Sequence, residues 1–303
     1  MRAAICLRGH FWIALGVLFF AACSAHAKDI VFAAYNLRNC LRMERRVDGK
    51  LVPDAPKPEA EIAAAVGVVR ELAPDILGLI EIGDEATLRE FQARLKSAGV
   101  DLPHSEWVRG EDPVRHIALL SRFPLIARNS RGDVPFEHNG SRLRVSRGIL
   151  DVTVSPADSA PIRIVGAHLK SRRTTPEFDE KTVRAKEALA LRAHLDGILS
   201  AAPDLILFGD LNDTKNEYPV RVLLGAPGST GALRDLPLAD RRGFRWTHYW
   251  AEADLYSRID YIFVSARLRP RISVGRSGIS DAKNWAAASD HRAIYTTILP
   301  EKK

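Results

Sequence analysis

Two short segments of this 303-residue chain carry the residue types that bind cations and move protons. In residues 206–213, an apolar run that suits a buried strand is followed by Asp210, Asn212 and Asp213. In open α/β sheets, chemistry takes place where such strands end. Residues 289–291, Ser-Asp-His, form a second cluster just before another strand-like run. Carboxylates, an amide and a histidine can bind a hard divalent cation and activate a water molecule. The combination predicts metal-assisted hydrolysis.

Other strand-like runs also end in residues that could take part in chemistry. Such runs end at Asn36, Glu81 and His168, whereas Asp260 lies at the start of one. Each residue alone has a structural explanation. Asn36 could cap a turn, His168 could be a hydrogen-bonded structural histidine, and Glu81 could end its strand in solvent. Asp260 could form an ion pair with Arg258. The recurrence of the pattern favours a shared site.

Seven segments follow one another in a fixed order: Ala34-Tyr35-Asn36, Leu79-Ile80-Glu81, Ile117-Ala118-Leu119-Leu120-Ser121-Arg122-Phe123-Pro124, His168-Leu169-Lys170, Gly209-Asp210-Leu211-Asn212, Arg258-Ile259-Asp260-Tyr261 and Ser289-Asp290-His291. In type and order they resemble the motifs of the endonuclease/exonuclease/phosphatase superfamily. The alternation of strands and helices by itself fits one twisted sheet or two stacked sheets. The resemblance implies a four-layer α/β sandwich, with two stacked mixed sheets flanked by helices and the site at one edge.

The resemblance also implies a metal site and a group that activates water. Glu81 would be the principal metal carboxylate, and Asn36 and Asp290 would support it or a second ion. Oxygen ligands suit Mg²⁺ or Mn²⁺ as the cofactor, and the number of ions stays open. Asp210 would orient and deprotonate the attacking water, and Asn212 would hold the phosphate or the nucleophile.

The remaining implied residues face the phosphate. His291, paired with Asp260, would donate a hydrogen bond to the phosphoryl oxygens, and His168 would be a second imidazole there. Lys170 is expected to position the phosphate, and Arg147 is a further candidate for substrate binding. Abasic-site endonucleases carry a tyrosine at the strand end of His168, so a dedicated abasic-site repair role is disfavoured.

Together with an N-terminal export signal, the resemblance implies an exported metal-dependent phosphodiesterase that acts on a phosphate ester, with nucleic acid as the favoured substrate. A phospholipid phosphodiesterase resembling sphingomyelinase and a phosphomonoesterase remain alternatives, because one fold hosts several substrate classes. A non-catalytic phosphate-binding module is the alternative from another class. Residues 122–147 are predicted to form an arginine-rich loop, which is expected to help hold a polyanion. Trp246, Tyr249 and Trp250 could stack on bases, enter a lipid interface or pack in the core.

The N-terminus predicts export. Residues 1–27 contain a basic start, an apolar stretch at 11–22 that is too short to span a bilayer comfortably, and an Ala-His-Ala cleavage site at 25–27. The protein is therefore expected to be secreted or periplasmic. The alternative is a lipoprotein anchored at Cys23. Cleavage would remove two arginines and no acidic residue, so the formal charge would fall from +7 to +5.

The remaining chain, 28–303, reads as a single catalytic domain without a transmembrane segment. The hydrophobic and charged fractions of the whole 303-residue chain, 46% and 27%, are those of a globular protein with a sizeable core. Its only cysteine, Cys40, is expected to be a buried core residue. Helical periodicity predicts amphipathic helices, and a polar stretch predicts an exposed loop at 42–58. The predicted helices are Glu59–Leu72, Ala86–Ala98 and Thr182–Leu199, the last with Val183, Leu189, Leu191, Leu195 and Ile198 towards one face.

Overall fold

The computed structural model describes residues 28–173 and 179–301, so the expected signal segment and Cys23 lie outside the described residues. The strands are β1 (Ile30–Cys40), β2 (Met43–Val47), β3 (Lys50–Ala55), β4 (Ile76–Ile82), β5 (His104–Val108), β6 (His116–Ser121), β7 (Leu125–Arg128), β8 (Pro135–His138), β9 (Ser141–Arg144), β10 (Leu150–Val154), β11 (Ile162–His168), β12 (Leu205–Asp210), β13 (Leu233–Asp235), β14 (His248–Trp250), β15 (Leu255–Ser257), β16 (Asp260–Ser265), β17 (Ile272–Ile279) and β18 (Ile294–Ile298). The α-helices are α1 (Glu59–Leu72), α2 (Glu85–Ser97), α3 (Glu180–Leu199), α4 (Tyr218–Leu224) and α5 (Trp285–Ala288). Helix α1 has the predicted bounds, and α2 and α3 begin within two residues of theirs. Within the described residues, no helix has the length and apolar character needed to cross a bilayer.

Two six-stranded mixed sheets stack face to face. The first has the strand order β17-β18-β1-β4-β6-β5, and the second has the order β13-β16-β12-β11-β10-β7. Apolar side chains from both sheets form the core between them, among them Ile80 and Ile117 from the first and Ile164 and Ile262 from the second. Helices α1, α2 and α5 cover the outer face of the first sheet, and α3 and α4 cover that of the second. The four-layer α/β sandwich implied by the resemblance is confirmed.

Phe208 of β12 lies between the sheets, where two glycines leave space for its ring. A Cβ atom added to Gly78 of β4 would lie 2.3 Å from the ring, and one added to Gly166 of β11 would lie 2.7 Å from it. Neither position can carry a side chain unless the ring moves. Every residue of β12 is buried, so the apolar run that predicted this strand places Asp210 at the end of a tightly packed element.

Helix α3 is amphipathic as predicted, but its inner face differs from the predicted one. Val183 and Leu191 are buried, whereas Leu189 is 42% exposed, so its assignment to the inner face is wrong. Arg184 and Glu187 are buried instead. Their side chains bond to the backbone of neighbouring loops, because the N-terminal half of α3 lies against loops rather than against the sheet. Apolar spacing alone does not reveal this change of surroundings.

Two segments predicted as loops contain short strands. The hairpin β2–β3 occupies most of residues 42–58, and it is largely exposed, as predicted for a loop. Strand β7 and the hairpin β8–β9 lie within residues 122–147. The loop predictions were wrong because these short ribbons bury little apolar surface and show no clear period-two pattern. Arg122 from the second segment forms an ion pair with Asp75 at 2.9 Å.

Cys40 is buried and free, as expected for a core residue. Burial raises the pKa of its thiol to about 11. A thiol of this kind stays protonated at neutral pH, so Cys40 packs at the end of β1 rather than acting as a nucleophile.

Candidate active site at the edge of the two sheets

Strand ends from both sheets lie together at one edge of the sandwich. In the first sheet, β1 runs parallel to β4 and antiparallel to β18, so the ends of β1 and β4 lie near the start of β18. In the second sheet, β11 runs parallel to β12, and β12 runs antiparallel to β16, so that Asp210 pairs with Asp260. The strand-end residues from the sequence therefore lie at this edge.

Asp210 lies at the centre of the group. Its Oδ2 atom is 3.7 Å from the Nε2 atom of His168 and 3.7 Å from that of His291. The same oxygen accepts a hydrogen bond from the side-chain amide of Asn36 at 3.1 Å. Its Oδ1 atom accepts the backbone N–H of Asn212 at 2.9 Å. The carboxylate is thus held from both sheets, with one oxygen directed at two imidazoles.

His291 and Asp260 form a buried couple. The Nδ1 atom of His291 lies 2.8 Å from the Oδ2 atom of Asp260, and this bond leaves Nε2 facing Asp210. The Oγ atom of Ser289 accepts the backbone N–H of His291 at 3.0 Å, which fixes the start of the final strand. Arg258 donates to other acceptors, among them Asp235 at 2.6 Å. The alternative of an ion pair between Arg258 and Asp260 is therefore wrong.

The three groups at the centre differ in their affinity for protons. Burial opposes a charge on His291, but the Asp260 carboxylate raises the pKa of His291 to about 10. Burial and repulsion from Arg147 hold the pKa of His168 well below its usual 6.5. Burial and the nearby Asp260 raise the pKa of Asp210 to about 7. At neutral pH the site holds an imidazolium, a neutral imidazole and a carboxyl group that exchanges its proton.

Glu81 is turned towards this group by an unusual backbone conformation. Its φ is 61°, at a point where the register between β4 and β6 shifts. A bulge re-aims a side chain, and left-handed φ in a non-glycine residue costs about 1 kcal/mol or more. The Oε1 atom lies 3.9 Å from Nε2 of His168, and Oε2 accepts the N–H of Asn39 at 2.8 Å. Asn39 and Asn212, which lie near the site, also have positive φ.

Asp290 lies on the more open side of the site, with its side chain 33% exposed. Its oxygens are 3.6 Å from Nε of Arg38, 4.0 Å from Nε2 of His248 and 4.0 Å from Nε2 of His291. Basic groups therefore surround this carboxylate. Arg38 also donates its backbone N–H to the side-chain oxygen of Asn36 at 3.0 Å, which leaves that oxygen a second lone pair.

Lys170 and Arg147 flank the site, and the buried carboxylate of Glu187 anchors the two loops that carry them. Glu187 of α3 accepts the backbone N–H of Lys170 at 2.6 Å and that of Ser146 at 2.8 Å. The side chain of Lys170 is 29% exposed, and its Nζ atom lies 3.5 Å from Oε2 of Glu180. The guanidinium of Arg147 is only 8% exposed and lies 3.1 Å from Asp112. Lys170 is thus open to a ligand, whereas Arg147 acts on His168 from within the protein.

Asn212 and Asp213 turn the chain after β12. The side-chain amide of Asn212 donates to the carbonyl of Leu169 at 2.9 Å, which joins the loops that follow β11 and β12. The carboxylate of Asp213 accepts from Arg184 at 2.7 Å, with both side chains buried. Of the three polar residues at this strand end, Asp213 is therefore structural.

Sequence reasoning did not single out His248. Its ring centroid lies 4.6 Å from that of His291, and the two residues form an isolated antiparallel bridge. Its Nδ1 atom is 3.3 Å from Oγ of Ser257. Burial and the charge on His291 lower the pKa of His248. Its place depends on pairing with a residue far along the chain, so no local sequence signal identifies it. Glu187 was missed because a single glutamate on a helix reads as surface.

Two sets of donors could hold a divalent cation. Asp210, Asp260 and His291 offer one atom each within 4.8 Å of one another. In that set, Nδ1 of His291 is held by Asp260, and the raised pKa of His291 disfavours the neutral imidazole that a cation needs. The side-chain oxygens of Asn36, Glu81 and Asp290 are the alternative, hard donors of the kind that suits Mg²⁺ or Mn²⁺. The side chain of Glu81 is 17% exposed, so a hydrated cation can reach it.

Comparison with known protein families agrees with this arrangement. The model of the Endonuclease/Exonuclease/phosphatase family matches residues 33–291, which include every strand-end residue described above. The chain belongs to this family. Members of the Endonuclease/Exonuclease/phosphatase family are phosphoric ester hydrolases that depend on divalent metal ions, and this chain has their fold. No curated protein sequence matches the chain.

Solved structures show the same fold at low sequence identity. Truncated TDP2 from Caenorhabditis elegans is 15% identical with a TM-score of 0.60, and the match covers 89% of this chain and 98% of that one. The human Nocturnin catalytic domain, solved with a bound sulfate anion, is 18% identical with a TM-score of 0.61, over 89% and 93%. Sphingomyelinase C from Streptomyces griseocarneus is 15% identical with a TM-score of 0.57, over 89% and 99%. These similarities establish the fold and do not select a substrate.

Proposed function

We propose that this chain is an exported, metal-dependent phosphodiesterase that cleaves nucleic acid. The observation that carries the hydrolytic part is the setting of Asp210. Its carboxylate is 2% exposed, has a pKa raised to about 7, and lies 3.7 Å from a charged and a neutral imidazole. A group with this affinity can take a proton from water at neutral pH and release it again.

Each residue around Asp210 has a part in the proposed reaction. Asp210 orients a water molecule and removes its proton, while Asn212 holds the phosphate or the nucleophile. His291, kept charged by Asp260, donates from Nε2 to a phosphoryl oxygen and stabilises its developing charge. His168 supports the phosphate as a neutral imidazole. Donors fixed in a buried site need little reorganisation during the reaction, which makes them effective.

The cation belongs on the side of the first sheet in this proposal. Glu81 and Asn36 would hold it, with Asp290 as a further carboxylate. When bound, the cation supplies a positive charge that polarises the phosphoryl group. Removal of the metal with EDTA is expected to abolish hydrolysis, and Mg²⁺ or Mn²⁺ is expected to restore it.

Positive charge around the candidate active site supports a polyanionic substrate. The whole chain has a formal charge of +7. The side chains of Arg38 and Arg172 are 52% and 54% exposed near the site, and Lys170 is partly exposed. Contacts of lysine and arginine with phosphates supply most of the sequence-independent affinity for nucleic acid.

The activity is tested with purified protein and Mg²⁺ on plasmid DNA, RNA, sphingomyelin vesicles and small phosphomonoesters. We expect cleavage of DNA or RNA, and loss of that cleavage in Asp210→Ala. Asp158→Asn, which changes an exposed carboxylate, is the matched control and should keep full activity. Turnover confined to sphingomyelin or to monoesters would contradict the nuclease proposal and leave a phosphoesterase.

Export is tested by the mass of the mature protein. Expression of the full chain in a bacterium should give a periplasmic or secreted product that begins at Lys28. A product that begins at an acylated Cys23 would identify a lipoprotein, and an unprocessed cytoplasmic product would contradict export.

A further inference from the structure

The hairpin β14–β15 presents an unpartnered apolar pair. Trp250 and Leu255 lie opposite each other in its register, and they are 52% and 50% exposed. Within the described residues, Trp250 makes no ring contact. Core packing, one of the roles considered for the aromatic residues of this segment, therefore does not apply to Trp250. An exposed tryptophan beside an exposed leucine marks a surface for binding.

The geometry of the hairpin directs this pair to the active site. Side chains alternate between the two faces of a strand, so Trp250 projects from the same face as His248, two residues earlier. His248 lies against His291, with 4.6 Å between ring centroids. A step of two residues along a strand is about 7 Å, so the apolar pair begins about that far from the imidazoles. It extends the site rather than forming a separate surface.

The opposite face of the hairpin forms aromatic contacts within the protein. Tyr249 and Tyr256 stack with centroids 4.5 Å apart, and Tyr256 also contacts Trp246 edge-on at 4.8 Å. Trp246 in turn packs against Trp285 and lies under the guanidinium of Arg292. These contacts fix the hairpin and leave the face with Trp250 free for a ligand.

We infer that Trp250, backed by Leu255, is a stacking platform for an unpaired nucleobase next to the phosphate being cleaved. This inference rests on the proposed function and narrows its substrate to single-stranded or locally unpaired nucleic acid. Bases stack on aromatic rings with little preference for sequence, whereas bases inside a duplex have no free face. Arg38, exposed beside Asp290, offers a charge for the backbone phosphates.

The charges at the tip of the hairpin argue against a lipid surface as the ligand. The turn between β14 and β15 carries Glu252 and Asp254, both exposed. Asp254 accepts a hydrogen bond from the hydroxyl of Tyr249 at 3.1 Å, which keeps its carboxylate at the tip. Insertion of Trp250 into a bilayer would carry these carboxylates towards the hydrocarbon, which is costly.

Binding measurements with a hydrolytically inactive background, Asp210→Ala, test the inference. The probes are two fluorescently labelled single strands of eight nucleotides and equal charge. One is octathymidylate, and the other is an abasic strand built from tetrahydrofuran nucleotides, which has no bases. Adding Trp250→Ala should weaken the Kd for octathymidylate about tenfold and change the Kd for the abasic strand less than twofold. Trp250→Phe should keep most of the affinity. Tyr218→Ala removes a comparably exposed aromatic side chain from α4 and should have no effect.

Unchanged binding of octathymidylate, or an equal loss for both strands, would overturn the inference. So would binding to sphingomyelin-containing vesicles that depends on Trp250 while octathymidylate binding does not. The proposed function is judged separately, by the activity of the unmodified protein. If that protein cleaves nucleic acid but Trp250→Ala binds normally, only the stacking platform is wrong. If it cleaves no nucleic acid, the proposed function itself is wrong.

Discussion

The site has a buried half and a more open half. His168, Asp210 and Asp260, from the second sheet, are 2%, 2% and 4% exposed. Asn36 of the first sheet and His291 of the loop that enters it are buried too. The side chains of Glu81 and Asp290 are more open, 17% and 33% exposed. Burial on one side shifts proton affinities, since a charge in a low dielectric depends on its neighbours. Exposure on the other side leaves room for a hydrated cation and a substrate.

This contrast separates two kinds of defect. Changes to the buried half should lower the rate of the chemical step at saturating metal. Changes to the open half should first raise the metal concentration that the enzyme needs. Variants in both halves, compared on one substrate, therefore show whether the halves have these separate tasks.

The largest effect is expected for Asp210→Asn. This variant keeps the shape of the side chain but cannot accept the proton of water, so kcat should fall about 1,000-fold, as for the loss of a general base. Single-turnover rates at saturating Mg²⁺ measure the step directly. A fall of less than tenfold would show that Asp210 is not the base.

The next largest effect is expected for Asp260→Asn. Loss of this carboxylate removes the charge that keeps His291 protonated, so kcat should fall about 100-fold. The Mg²⁺ concentration for half-maximal activity should stay within about twofold of the unmodified protein. A large shift in that concentration would place the cation at the Asp260–His291 couple instead.

A smaller effect on kcat, with a shift in metal affinity, is expected for Glu81→Gln. The amide keeps one oxygen but loses the negative charge, so Mn²⁺ binding measured by calorimetry should weaken at least about tenfold. Excess Mn²⁺ should recover most of the activity. Metal affinity equal to that of the unmodified protein would contradict the assignment of Glu81 as a metal ligand.

The last prediction concerns stability rather than activity. In the metal-free protein the folded pKa of His291 is raised from 6.5 to about 10. Its contribution to the free energy of unfolding is therefore fully present below pH 6.5 and is lost as pH rises through 10, by at most about 1.4 kcal/mol per pH unit. Denaturant titrations of the unmodified protein and of His291→Asn with EDTA should show a difference that shrinks from pH 6.5 to 10. A difference that grows with pH would contradict the charged state of His291.

Much of the fold could be predicted because its signals are local. The apolar runs of β1, β4, β11 and β12 identify buried strands, and the polar residue after each run identifies the site edge. The arrangement of two stacked sheets came from the ordered motifs, since alternation of elements fits one sheet or two.

Other features depend on contacts between distant parts of the chain. His248 reaches the site through its bridge to His291, and Glu187 is buried because two loops direct backbone N–H groups at it. Leu189 was misplaced because helical spacing does not show which neighbour each turn meets. Short exposed hairpins such as β2–β3 leave no strong pattern, because their strands pack on little.

The ring of Phe208 ties the geometry of the site to the spacing of the sandwich. The ring fits only while Gly78 and Gly166 lack a side chain, and a smaller residue at position 208 would leave a cavity beside both glycines. The three positions therefore behave as one steric unit that spans both sheets, two residues before Asp210. In related sequences, the sizes of the side chains at positions 78, 166 and 208 should therefore vary together. A lone enlargement would push the layers apart and separate the donors of one sheet from those of the other.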